Sequence, residues 1–333
     1  MKLFHSLLYP LLGGLFCLSC SDDEQDTGTK QPTAGEVTFG VDLTGFSTRV
    51  TQDGSSWNDG DKIGTYVLDM KTLEPVTEAA NVPYVCSEEG ASVSFTSTTP
   101  LKVQNDGTPV KFVAYYPYNA DVRNFNYPVQ LAAQERGSTA CDLLYAATKE
   151  EYTYSPENEP HISLNFTHRL AKVILKFVNM EKEPLEVSDV RIEGMQTAAS
   201  FNIQTDVLTV DESSVATINP YHNATTGFYE AIILPSALTD SYKVSFVLDD
   251  REKEWIFTNL DIALPQFHKG YSYTFALYID DSGFVEMGRL ENVDGGNSSA
   301  PWEDGSSEDG TAEGDKTPVS GYAFTPADGT QQA

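Results

Sequence analysis

Residues 37–43 read Val-Thr-Phe-Gly-Val-Asp-Leu and establish the pattern that runs through most of the chain. Val37, Phe39, Val41 and Leu43 alternate with polar or small residues, as in a β-strand that buries one face. Short runs of the same kind follow, separated by turn residues about every 8–12 positions, and we count roughly thirteen to fifteen of them. The pattern therefore predicts an all-β protein built from β-sandwiches.

The distribution of these runs fits two tandem β-sandwich domains. We expect residues 36–158 to form the N-terminal sandwich and residues 159–280 the C-terminal sandwich, with a boundary rich in Pro and Glu. Asn119 to Ser138 is a long polar loop. From Asp280 to Asp315 there are eleven acids and one base, so residues 281–333 are predicted to be an acidic, flexible low-complexity tail.

The charge of the chain excludes several classes of partner. Its 333 residues contain 49 Asp and Glu against 21 Lys and Arg, a formal net charge of −28. An anionic surface repels phosphate groups and has no counterions to release from them. We therefore expect no nucleic acid partner and no docking on an anionic leaflet.

The N-terminus has the features of an export signal. Lys2 precedes a mostly apolar run that is too short and too broken for a membrane span, and the run ends in Leu18-Ser19-Cys20. A small residue before a cysteine at this position resembles a lipobox. We predict that residues 1–19 are a signal peptide, that Cys20 is lipidated, and that residues 20–35 form a lipidated linker. The alternative is an ordinary signal peptide, cut near Ser19 or Ser21.

Residues 21–24, Ser-Asp-Asp-Glu, extend this prediction to the cell surface. An acidic cluster directly after the lipid cysteine resembles the surface-export signal of lipoproteins in Gram-negative anaerobes. A solvated linker is the alternative reading of the same residues. The predicted location is the outer membrane at the cell surface, with the lipid as the only anchor.

The sequence contains none of the common catalytic motifs. There is no G-x-S-x-G elbow, phosphate loop, dinucleotide fingerprint or H-E-x-x-H pair. The histidines after Cys20 are not spaced like metal ligands, and His168 is expected to be a hydrogen-bonded structural residue. Asn58-Asp59-Gly60-Asp61 resembles half of a calcium loop without its closing Glu, which favours a turn. We therefore expect no enzyme activity, metal or cofactor.

Two cysteines leave an open question. Cys86 and Cys141 could form a disulfide in an extracytoplasmic protein, or both could be small buried hydrophobic residues.

Six phrases in order resemble the fimbrillin (Mfa-like) family, which comprises pilus subunits and their relatives in Gram-negative anaerobes of gut and mouth. The resemblance spans roughly residues 36–280. Its phrases are Thr48-Arg49 with Trp57-Asn58-Asp59-Gly60-Asp61-Lys62-Ile63-Gly64, Phe112-Val113-Ala114-Tyr115-Tyr116-Pro117-Tyr118, Asp142-Leu143-Leu144-Tyr145-Ala146, Phe166-Thr167-His168-Arg169-Leu170-Ala171-Lys172-Val173, Ile232-Ile233-Leu234-Pro235 and Gly270-Tyr271-Ser272-Tyr273.

The resemblance implies two transthyretin-like β-sandwiches, secretion as a lipoprotein and assembly by strand exchange. An arginine-specific protease would remove the first strand, and a strand from another pilus subunit would fill the groove. The expected first strand contains Val37, Phe39, Val41 and Leu43. Arg49 is the expected cleavage site, because it and Lys30 are the only basic residues between Cys20 and Lys62. A solvated loop arginine is the alternative.

One departure from the family pattern bears on the position in a fibre. A shaft subunit should end in a strongly alternating donor segment, but only Phe284 to Leu290 and Val319 to Phe324 have weak strand character after Ile279. A tip, anchor or accessory subunit is therefore at least as well supported, as is a surface lipoprotein that never polymerises. The expected function is cell adhesion, with a host receptor or glycan as a further candidate partner.

The rival hypothesis is a surface glycan-binding lipoprotein of a polysaccharide-uptake system. Such a protein needs exposed aromatic platforms. Candidates are Trp57, Trp255, Trp302 and the cluster of Tyr115, Tyr116 and Tyr118. Trp57 and the tyrosines lie within the family-like phrases, which favours core packing. A more remote alternative is a hydrolase with convergent carboxylates.

Overall fold

The structure is a computed structural model that describes residues 34–42, 57–76, 80–90, 92–135, 137–157, 159–258, 264–280, 285–290 and 299–301. These residues contain 24 short strands and one 3-10 helix, but no α-helix. The predicted all-β fold is confirmed. The strands outnumber our count because many are segments of two or three residues that a sequence pattern does not separate.

Eleven strands and the 3-10 helix precede residue 170. They are β1 (Ala34–Glu36), β2 (Thr38–Asp42), β3 (Lys62–Asp69), β4 (Val82–Cys86), β5 (Ser92–Thr96), β6 (Lys102–Gln104), β7 (Val110–Tyr116), β8 (Asn126–Gln130), η1 (Ser138–Cys141), β9 (Leu144–Ala147), β10 (His161–Leu164) and β11 (Thr167–His168). Eight of them form the first sheet, in the order β10-β2-β5-β4-β3-β7-β9-β11, and β1 pairs with β6.

The first sheet curls around its own core. Its two outermost strands, β10 and β11, are separated by only Asn165 and Phe166, so the two edges lie within roughly 11 Å of each other. Ile162, Leu164 and Phe166 from this segment are buried in the first core. The expected boundary at 158/159 assigns β10 to the C-terminal sandwich. In the structure, β10 runs parallel to β2 and belongs to the first sheet. Alternation predicts a strand but not its partner.

Thirteen strands follow residue 170. They are β12 (Ala171–Asn179), β13 (Ser188–Glu193), β14 (Ala198–Asn202), β15 (Val207–Val210), β16 (Tyr221–Asn223), β17 (Phe228–Ile233), β18 (Ser236–Ala237), β19 (Lys243–Leu248), β20 (Arg251–Ile256), β21 (Gln266–Phe267), β22 (Tyr271–Ile279), β23 (Val285–Leu290) and β24 (Ser299–Pro301). The second sheet has the order β16-β17-β12-β22-β23, with β24 also paired to β22. A second core lies between this sheet and the three-stranded sheet β13-β19-β20.

The end of the second sheet extends past the predicted boundary at residue 280. Strands β23 and β24 both pair antiparallel with β22, although residues 281–333 were predicted to be a flexible tail. Backbone hydrogen bonds to a long neighbouring strand support these short segments despite their weak sequence pattern. Residues 302–333 lie outside the described residues.

A third core joins the two parts of the molecule. Along β3, Ile63 and Val67 face the first core, whereas Tyr66 and Leu68 face the third. This alternation follows from the two-residue period of a strand. Members from the second part of the chain are Leu170, Ala199, Phe201, Ile203, Ile232 and Leu234.

The predicted loop from Asn119 to Ser138 is part of this junction. It contains β8, which pairs antiparallel with β14 along five residues, and β15 completes that small sheet. Gln134 is buried beyond β8, and its side-chain amide bonds both the N–H and the carbonyl oxygen of Ile232, at 2.8 and 2.7 Å. This polar segment, which we predicted to be a loop, thus contains strand β8 and the side chain of Gln134 that links it to β17.

Candidate functional site

The candidate site is the groove that holds the first strand, defined here as strands β1 and β2 in residues 34–42. Strand β1 pairs antiparallel with β6, and β2 lies between β5 and β10. Where the two strands join, the N–H of Val37 donates to the carbonyl oxygen of Leu101 at 2.9 Å, and that of Thr38 donates to Pro160 at 2.9 Å. Strand β2 is therefore bonded along both of its edges, and β1 along the edge that faces β6.

Its core-facing side chains fill the floor of the groove. Val37, Phe39 and Val41 are at most 2% exposed. The Phe39 ring meets the rings of Tyr84 and Phe112 edge-on, with centroids 4.8 and 5.8 Å apart. Burying side chains of this size contributes about 1.5–3 kcal/mol each. The hydrophobic side of the groove thus makes a large contribution to holding the strand.

Tyr84 adds a polar connection at the bottom of the groove. Its hydroxyl donates to the carbonyl oxygen of Val37 at 2.9 Å and accepts from the N–H of Leu101 at 2.8 Å. Burial raises the pKa of Tyr84 to about 12, because the phenolate would lose its hydration. The neutral hydroxyl therefore bridges the first strand and its neighbouring segment at physiological pH.

Two glycines allow neighbouring side chains to pack directly against the backbone of the strand. A Cβ on Gly35 would lie 2.5 Å from the Tyr154 ring, and one on Gly40 would lie 2.7 Å from the His161 imidazole. The His161 ring is also within hydrogen-bonding distance of the Thr38 hydroxyl, with Nδ1 3.0 Å from Oγ1. Tyr154 and His161 thus cover the first strand where it has no side chain of its own.

The predicted site residues are only partly within the described part of the chain. Val37, Phe39 and Val41 line the groove together, whereas Leu43, Arg49 and Cys20 lie outside the described residues. Sequence reasoning missed the contribution of β10, because a parallel pairing over more than 120 residues has no local signal. The glycines at 35 and 40 were the available clue to close backbone approach.

The geometry indicates what loss of the first strand would do. Strands β5 and β10 would each lose a hydrogen-bonded neighbour, and Tyr84, Phe95 and Phe112 would border an apolar trough. Unpaired backbone groups and apolar surface are both costly in contact with water. An added strand of matching alternation would satisfy both needs at once.

The tryptophans, His168 and the two cysteines singled out in the sequence lie mostly in the interior. Trp57 and Trp255 are buried, so neither offers an exposed platform, and Trp302 lies outside the described residues. His168 is buried with Nδ1 2.9 Å from Asp142 Oδ1, as expected for a structural histidine. Cys86 and Cys141 do not form a disulfide: both are free thiols. Cys86 is buried and Cys141 is half-buried.

The segment 58–61 forms a turn, as its sequence predicts. The N–H of Asn58 donates to Asp61 Oδ2 at 2.7 Å, which closes the predicted turn. Within the ranges described, no group of three or more His, Cys, Asp or Glu side chains is arranged to hold a metal ion. The same part of the chain contains no helix of the length and hydropathy needed to span a membrane.

The chain is similar in sequence to one protein family and in fold to several solved structures. A family model described as fimbrillin-like matches residues 48–302. A solved structure assigned to cell adhesion, from Bacteroides uniformis ATCC 8492, is 22% identical and has a TM-score of 0.60, with 77% of this chain and 95% of that chain covered. A second one, from Bacteroides ovatus ATCC 8483, is 17% identical with a TM-score of 0.54, covering 74% of this chain and 92% of that chain. No curated protein matches the chain.

Proposed function

The chain belongs to the fimbrillin-like family, and we propose that it is a cell-surface fimbrial subunit whose first strand is exchanged during assembly. The observation that carries this proposal is the position of that strand. Its longer part, β2, is an internal strand with neighbours on both sides, and β1 and β2 come before every other described strand. An element with this placement can leave without breaking a connection between the other described strands.

Proteolysis supplies the trigger in this proposal. Arg49 follows the last residue of the first strand by seven positions and precedes the buried Trp57 by eight. Cleavage after Arg49 by an arginine-specific protease would separate the first strand from the rest of the chain. Backbone hydrogen bonds and apolar contacts would then be its only attachment, and a strand of another pilus subunit could compete for the same groove.

The role within a fibre is proposed to be structural or accessory, at a tip or an anchor. Strands β23 and β24 pair with β22 of their own sheet, which favours a subunit that accepts a strand over one that donates its C-terminal segment. Lipidation at Cys20 would hold the uncleaved protein at the outer membrane. The subunit would support adhesion through its surface and assembly through its groove, without catalysing a reaction.

Limited digestion with an arginine-specific protease tests this proposal. We would treat lipid-free protein, residues 21–333, and identify the products by mass spectrometry. The expected first cut follows Arg49 and lowers the melting temperature once residues 21–49 have dissociated. A synthetic peptide of residues 34–43 should then restore the original melting temperature, because it refills the groove.

Two variants separate the specific cut from general digestion. Arg49→Gln should leave the first strand attached, whereas Arg251→Gln, which changes an exposed hairpin arginine, should be cut after Arg49 at the normal rate. Size exclusion chromatography of the cleaved protein distinguishes a polymerising subunit from one that accepts a strand only. Resistance of Arg49 to the protease, or an unchanged melting temperature after cleavage and removal of the peptide, would contradict strand exchange.

A further inference from the structure

A cleft on the outer face of the first sheet is separate from the strand groove. It lies where β3, β4 and the end of β5 meet, and its volume is about 320 Å³. This is close to the lower limit for small-molecule sites in proteins, enough for a single sugar ring. The residues that matter for its chemistry are Lys62, Pro83, Val85, Thr96, Thr98 and Tyr118.

Strand alternation explains why these side chains share one face. Tyr84 and Phe95 point into the first core, so Pro83, Val85 and Thr96 next to them point outward. Strands β4 and β5 are paired only at Val85 with Thr96 and at Cys86 with Phe95. Pro83 and Val85 supply the apolar part of the lining of the cleft.

Tyr118 forms a wall of the cleft beside Lys62. The N–H of Tyr118 donates to the carbonyl oxygen of Lys62 at 3.0 Å, which fixes the tyrosine next to the start of β3. The neighbouring Asp61 is engaged elsewhere, by the N–H of Asn58 and by the hydroxyl of Tyr116. Within the described residues, the Asp61 carboxylate forms no ion pair with the adjacent Lys62 ammonium.

Four polar side chains of the cleft have no protein partner. Within the described ranges, no hydrogen bond or ion pair is formed by the side chains of Lys62, Thr96, Thr98 and Tyr118. Three hydroxyl groups that can both donate and accept, placed around an apolar floor, match the alternating polar edge and C–H face of a pyranose ring. The fourth group, an ammonium, favours a negatively charged substituent.

The overall charge of the chain does not cancel this local preference. The net charge is −28, but charges farther away than about 8 Å are largely screened at physiological ionic strength. Lys62 is the one charged residue among those that line the cleft, so a carboxylate bound there would lie next to a cation. We propose that this cleft binds one carboxylated pyranose unit, with the ring against Tyr118 and Pro83 and the carboxylate at Lys62.

Binding of two matched sugars tests the assignment. Isothermal titration or ligand-observed NMR would compare methyl glucuronide with methyl glucoside on the intact lipid-free protein. We expect the glucuronide to bind about tenfold more tightly, a difference near 1.4 kcal/mol. Lys62→Gln should remove this preference, and Tyr118→Ala should weaken both sugars.

Lys111→Gln provides a matched control, since Lys111 is a strand lysine outside the cleft. It should leave both affinities unchanged, and the melting temperature of each variant should show that it is folded. The proposal is overturned if neither sugar binds, if both bind equally well, or if the glucuronide affinity survives Lys62→Gln and Tyr118→Ala. None of these results depends on whether Arg49 is cleaved.

Discussion

At the scale of single residues, the first strand is held in place by the hydroxyl oxygen of Tyr84 as well as by the burial of its apolar side chains. The Tyr84 hydroxyl satisfies the carbonyl of Val37 and the N–H of Leu101 in a place that water does not reach. Gly35 and Gly40 contribute through the absence of a side chain, which makes room for Tyr154 and His161. The sequence of the strand is thus fitted to its neighbours on both faces.

Tyr84→Phe should destabilise the protein by about 1–3 kcal/mol, because two buried backbone groups lose their partner. Chemical denaturation monitored by circular dichroism would measure the change. Tyr154→Phe is the control: its hydroxyl forms no hydrogen bond within the described residues, and its removal should change the free energy of unfolding by less than about 0.5 kcal/mol. Equal losses for the two variants would contradict the bridging role of Tyr84.

The same tyrosine contributes a pH dependence with a defined sign. Its pKa is raised from 10.0 to about 12 in the folded protein, so the unfolded chain loses the proton first. The contribution of Tyr84 to stability is complete below pH 10 and is lost as the pH rises through about 12. Stability should therefore fall less steeply over this window in Tyr84→Phe than in the unchanged protein.

At the scale of elements, the segment Asn119–Ser138 connects the two sheets. Strand β8 pairs with β14, and Gln134 occupies the edge of β17 at Ile232, where β16 does not reach. Arg169 adds a charged contact, with Nη2 3.0 Å from Asp206 Oδ2. The two parts of the chain are thus joined through a separate small sheet, a side-chain amide and an ion pair.

Gln134→Ala should cost about 1–3 kcal/mol or more, because the N–H and carbonyl oxygen of Ile232 would be buried without partners. The free energy of unfolding from urea denaturation would show the loss. Gln266→Ala, at an exposed glutamine of β21, should have little effect. If both variants were equally stable, the edge of β17 would have to be satisfied in another way.

At the scale of the whole molecule, the third core makes the two parts depend on each other. Phe201 belongs to the second part of the chain by sequence, yet it is fully buried in this core and its ring lies 5.5 Å from that of Tyr145. Separating the parts would expose a continuous apolar surface. We therefore expect the described part of the chain to unfold as one cooperative unit.

Phe201→Ala should lower the free energy of unfolding by about 3–5 kcal/mol and accelerate amide hydrogen exchange in both sheets alike. Exchange measured by mass spectrometry on peptides containing β7 and β22 would report the two parts separately. The exposed Val207, changed to Ala, is the control and should alter neither. Faster exchange confined to β22 would mean that the two parts unfold independently.

The sequence by itself determined the all-β class, the buried faces of Val37, Phe39 and Val41, and the buried state of Trp57. All of these follow from local alternation or from phrases shared with a family. The partners of the strands depended on tertiary structure. Alternation specifies which side chains are buried, but not that β10 lies beside β2 or that β8 joins β14.

The same reason limits what could be predicted of the groove and the cleft. The first strand was recognisable in the sequence, whereas its hydrogen bonds to Pro160 and Leu101 and the bridging hydroxyl of Tyr84 connect residues far apart in the chain. Lys62, Thr96 and Tyr118 likewise become neighbours only when three strands meet. Local pattern therefore determined which segments form strands, and long-range packing decided which surfaces those strands create together.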